Sequence, residues 1–190
     1  MQLRSTFFRA LLLIISIGSF SQSFAQGVKA KGTAYYENIK LLKTDAYQIS
    51  YPASWKVGTS KTWGNDTEFI LYFSSDPSDG KYNGNLNLII KAIKEENLDL
   101  NSLTAQAIKA HSDFIPGFKV VLNEQVKSGS HTFQRLIFQS AGTPIDFRFE
   151  QRYWIIGNLT YVLTATYFLQ EAAYIEPVIY SVLNTFKPLM

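Results

Sequence analysis

The chain predicts an α+β fold, a twisted antiparallel sheet of about six to seven strands covered by helices in an α/β/α sandwich. Three features of the sequence carry that reading. Seven segments rich in β-branched and aromatic residues are separated by Gly- and Asn-containing turns. Two other segments repeat apolar residues at helical spacing. The last four strands are joined by connections too short for anything but antiparallel neighbours.

Taken in order, the first 25 residues read as a secretory leader. Arg4 and Arg9 precede the apolar run Ala10–Ile17, and Ser23-Phe24-Ala25 offers the small residues at which a signal peptidase cuts. The apolar run is too short to span a bilayer, which takes about 20 residues. No cysteine follows it that could carry a lipid. Cleavage after Ala25 leaves an exported, periplasmic or extracellular chain of about 165 residues, the size of one domain. No later segment is apolar enough for an integral membrane span. Residues 26–34 are small and polar, a loose arm ahead of a single domain over 35–190. Tyr35 to Leu42 fits either a short helix or an extended lead-in.

Strands are expected over Tyr47–Tyr51, Glu68–Ser74, Asn85–Ile93, Lys119–Val126, His131–Ser140, Ile145–Ile156 and Leu159–Phe168. Ser128-Gly129 and Gly157-Asn158 supply tight turns between them. Asp99 is a candidate N-cap for a helix from Leu100 to about His111, with Leu100, Leu103, Ala107 and Ala110 along one stripe. A second helix follows from the spacing of Ile175, Ile179, Val182, Leu183 and Phe186, with Pro177 expected in its first turn.

Composition narrows the chemistry. The absence of cysteine removes thiol catalysis, cysteine zinc sites and disulfides, so the core must hold the domain unaided. Removing the leader with its two arginines lowers the formal charge from +3 to +1, which argues for no nucleic-acid partner. No nucleophile elbow, phosphate-binding loop or His-Glu-x-x-His motif is present.

Tyr47-Gln-Ile-Ser-Tyr-Pro-Ala-Ser-Trp55, Asn85-Leu-Asn-Leu-Ile-Ile-Lys91, Leu163-Thr-Ala-Thr166 and the closing Val182-Leu-Asn-Thr-Phe186 are arranged in the order found in PsbP-like proteins. The chain resembles that family and the related DcrB-like envelope proteins from about Tyr35 to Lys187. The resemblance implies an antiparallel sheet covered by helices and a non-enzymatic role in assembly or binding, with an envelope protein or small ligand as partner.

Candidate site residues fall in two places. Alternation along Ile145–Ile156 sends Arg148, Arg152 and Trp154 to one face, where Arg135 and His131 of the neighbouring strand could join them in a basic groove. A solvated face, with Asp146 and Glu150 pairing the arginines, is the plainer reading. Asp76, Asp79, Asn83 and Asn85 offer hard oxygen ligands that calcium would accept, although Asp, Asn and Gly are also ordinary turn residues. No other cofactor is expected. His111 closes the first helix as a candidate dipole-stabilising cation. A hydrolase whose histidines and carboxylates converge only in the fold is the rival reading.

Overall fold

The computed structural model describes residues 38–59, 67–73, 84–142 and 146–189. Seven strands form one wholly antiparallel sheet, β3(Lys56–Thr59), β4(Thr67–Phe73), β5(Gly84–Ala92), β6(Lys119–Ser128), β7(His131–Gln139), β8(Phe147–Ile156) and β9(Leu159–Phe168). Their spatial order is β3-β4-β5-β9-β8-β7-β6. A small second sheet is ordered β1(Ile39–Lys43), β2(Tyr47–Pro52) and β10(Lys187–Pro188), with β2 in the middle. Of the lead-in, the described stretch Ile39–Lys43 is therefore extended.

After β5, helix α1(Leu100–Phe114) carries the chain across one face of the sheet to its far edge. The meander β6–β9 then walks back until β9 pairs with β5 along its full length. Asp99 caps α1 by accepting from Ser102 N–H at 2.7 Å, and those backbone bonds hold its carboxyl below the usual range. Gly117 ends the connection at φ +60°, where an added Cβ would lie 2.0 Å from the Ala141 carbonyl oxygen. The Gly157-Asn158 connection is the expected two-residue hairpin, since Ile156 pairs with Leu159.

Both faces of the large sheet are covered. Leu103 and Ala107 of α1 pack on Leu136, Phe138, Phe149, Tyr153 and Val162. The opposite face carries the larger core, in which β2 and helix α2(Ala172–Leu183) cover strands β4, β5 and β9. Trp55 plugs into this core against Phe73 at 4.6 Å between ring centroids, at the end of the turn that Pro52 opens.

Helix α2 begins earlier than the spacing of its apolar residues suggested, preceded by a single 3-10 turn over Leu169–Glu171. Pro177 consequently lies inside the helix rather than in its first turn. Both Pro177 and Ala173, whose carbonyl would have bonded to residue 177, are exposed, so water can take the freed acceptor.

Candidate functional site

The arginines of β7 and β8 come together on the α2-facing side, but inward. Register places Arg135 beside Arg152 and Ile137 beside Glu150. Glu150 is 0% exposed and Arg152 only 4%. Arg135 Nε donates to Glu150 Oε1 at 3.1 Å, and Arg152 Nε donates to the same oxygen at 2.9 Å. Arg135 also reaches Glu124 at 3.2 Å and lies 4.8 Å over the Tyr180 ring. Arg152 donates to Asn184 Oδ1 at 2.9 Å and lies over Phe133.

Burial opposes the charge at both arginines. At Arg135 the hydrogen bond and charge of Glu150 outweigh burial and raise the pKa. At the deeper Arg152 burial wins and the pKa is lowered, with Glu150 opposing.

This arrangement is neither the open basic groove nor the solvated face that strand alternation suggested. Helix α2 and the packed rings of Phe133 and Trp154 exclude water from Arg152, so its positive charge is spent on Glu150. Trp154 is buried between Phe133 and Phe186 and presents no ring to a ligand. Arg148 sits at the margin, with Nη1 4.0 Å from Glu176 and a buried Nε that has no partner. Asp146 does not pair with the arginines; its Oδ1 is buried without a partner. His131, half-buried at the start of β7, faces Ser128 across the hairpin.

The α1-facing side carries a different row that alternation did not single out. His111 is buried, stacked 4.6 Å from the Phe138 ring, with Nε2 2.9 Å from Gln151 Oε1. Burial lowers its pKa, opposed by the Gln151 bond, so it is not the helix-end cation expected. Tyr153 donates to the same Gln151 oxygen, and burial raises the pKa of that phenol. Gln151 Nε2 donates to Thr164 at 3.2 Å, and Thr164 pairs with Asn87 in register. The signal was present in the sequence as polar residues at alternate positions, Asn85 and Asn87 on one strand and Thr160, Thr164 and Thr166 on another. Read without the covering layer, such positions look solvated.

His111 and His131 thus belong to opposite sides of the sheet. Among the described residues, no group of three or more His, Asp and Glu side chains is placed to hold a metal ion. Of the calcium candidates, Asp76, Asp79 and Asn83 lie outside the described residues, while Asn85 sits inside β5 on the α1-facing side. The signal peptide and the N-terminal arm also lie outside them.

A third feature is the strand at the end of the large sheet. Among the described residues β6 pairs with β7 alone, and its register is broken between Val120 and Leu122. Val120 and Val121 are 37% and 46% exposed at that bulge.

No protein-family model matches the chain, and no curated protein matches it. Solved structures do. Cyanobacterial PsbP (CyanoP) from Synechocystis sp. PCC 6803 superposes with a TM-score of 0.61 at 12% identity, covering 86% of this chain and 98% of that one. LpqN of Mycobacterium tuberculosis, involved in cell envelope biogenesis, gives 0.56 at 10% identity over 80% of this chain and 91% of its own. The Saccharomyces cerevisiae Ran-binding protein Mog1p gives 0.57 at 9% identity, over 80% and 96%. The chain has a PsbP-like fold. Among the described residues, no helix is long and apolar enough to cross a membrane.

Proposed function

We propose that this chain is an exported, non-enzymatic binding or assembly module of the cell envelope, and that it engages an extended segment of a protein partner along the edge of β6. One observation carries the reading. The buried Glu150 is spent on Arg135 and Arg152, whereas among the described residues β6 has no strand on its outer side and exposes Val120 and Val121 beside it. An open strand edge holds unpaired backbone donors and acceptors, and an incoming strand satisfies them while flanking side chains select it. Lys119, Glu124 and Lys127 along the same strand supply charges that would set register and exclude wrong partners. The yeast protein with this fold is a Ran-binding protein and the mycobacterial one is involved in cell envelope biogenesis, which supports the fold as a scaffold for association.

The test is capture from envelope extract on the immobilised mature chain, beside a Val120→Lys/Val121→Lys variant. The expected result is one protein retained by the wild type and held about tenfold more weakly by the variant, whose melting temperature is unchanged. Equal retention by both would move the interface off β6. Turnover of a substrate by the purified chain would replace this reading with an enzymatic one.

A further inference from the structure

We infer that the α1-facing side of the sheet holds a binding site for a small, uncharged polyhydroxy compound of the sugar class, centred on Asn85, Asn87, Thr164 and Thr166. It is independent of the β6 edge. Antiparallel partners point to the same face, so register fixes the arrangement. Asn85 lies opposite Thr166, and Asn87 lies opposite Thr164. The four side chains form the corners of a square, about 5 Å across the strands and about 7 Å along them. Val162, in the same row of β9, packs against α1, which shows which way the square faces.

Two opposite corners are unsatisfied. Asn87 Oδ1 and Thr166 Oγ1 are buried and make no hydrogen bond, on residues only 5% exposed. A buried polar atom left without a partner costs about 1–3 kcal/mol. The same strands place Ile89 opposite Val162 one rung away, so an apolar pair was available to this face at lower cost. Thr164 already accepts from Gln151 and still carries a proton it can donate.

The neighbours set the chemical class. Across four strands the upper rung reads Tyr72, Asn85, Thr166, Phe149, with an aromatic ring at each end. The lower rung reads Ile70, Asn87, Thr164, Gln151. Within these four strands neither rung contains a charged side chain; Lys56 lies beyond Tyr72 on β3, and Lys91, opposite Thr160, is two rungs away. Amides and hydroxyls between aromatic rings suit a ligand with several hydroxyls and an apolar C–H face. Among the described residues, an anion over the square would have only Lys56 in its rung, about 10 Å away across two strands, and would bear most of its desolvation cost unpaid.

The experiment is a side-chain NMR titration of the mature chain with glucose and N-acetylglucosamine, each beside a charged analogue, glucuronate or glucose 6-phosphate. Saturable shifts are expected at the Asn85 and Asn87 side-chain amides and the Thr164 and Thr166 methyls, with affinity in about the millimolar range. Thr166→Val with Asn87→Leu should weaken binding at least tenfold without lowering the melting temperature, since it removes both orphaned atoms. If that pair fails to fold, Thr166→Val alone should weaken binding and Thr166→Ser should restore it. The inference is overturned if no neutral sugar gives saturable shifts, or if the charged analogues bind as well. Binding that survives the substitutions overturns it too, as does a square holding only bound water that no sugar displaces.

Discussion

The two sides of the large sheet bury polar groups in opposite ways. Beneath α2 the cluster is charged and paired: Glu150 takes both Arg135 and Arg152, and Glu124 and Asn184 take what remains, while Arg148 Nε, Trp55 Nε1 and Tyr161 OH on that side have no partner. On the α1-facing side they are neutral, and several atoms have no partner, among them His111 Nδ1, Asn87 Oδ1 and Thr166 Oγ1. A buried charge must be paired or the fold fails, whereas a buried amide or hydroxyl can be left open at tolerable cost. The first side therefore reads as structure. Both sides keep some hydrogen-bonding capacity, and on the second two of the open atoms, on Asn87 and Thr166, share one uncharged square.

Breaking the charged side should give the largest effect. Glu150→Gln leaves two guanidinium groups without their buried countercharge and should cost about 3–5 kcal/mol in urea denaturation. Replacing Arg135, Glu150 and Arg152 together by Met, Leu and Met should be far milder, or even stabilising, because no charge is stranded. If the triple variant is as unstable as Glu150→Gln, the cluster contributes packing that apolar groups cannot supply.

The neutral side should respond to acid. Because burial lowers the His111 pKa below its ordinary 6.5, the unfolded chain takes up the proton first as pH falls. This contribution to stability is complete above pH 6.5 and declines below it, by at most about 1.4 kcal/mol per pH unit. No charged side chain is among its recorded contacts, which are Gln151, Phe118 and Phe138. His111→Phe should flatten the slope between pH 6.5 and 5, measured by urea midpoints. An unchanged slope would mean that another group governs the acid limb.

The smallest effect belongs to an ion pair outside both layers. Lys109 and Asp113 meet at 3.4 Å on the exposed side of α1. Lys109→Ala should change stability by no more than about 0.5 kcal/mol, which sets the exposed scale against which the buried cluster is read.

Much of this fold was legible in the chain. Short Gly- and Asn-bearing turns force the meander β6–β9, and Asp99 marks the start of α1. Strands β3 and β10 were not, being four and two residues long with no periodicity to read. The surroundings of the arginine row were not legible in the sequence for one physical reason. Alternation separates the two faces of a strand but says nothing of what lies above each. In β8 the charged parity meets α2 and its core, so Arg152 and Trp154 pack inward. In β5 the polar parity is buried at Asn87 as well, and Asn85, also offered as a calcium ligand, lies within the strand.

The central claim is that the arginine row is an internal clamp and not a docking groove. The direct measurement follows the Nε–H resonances of Arg135 and Arg152 while inorganic phosphate is added. They should be protected from solvent exchange and unmoved by phosphate, with protection lost in Glu150→Gln. Phosphate-dependent shifts at those two resonances in the wild type would show an accessible anion site and contradict the account.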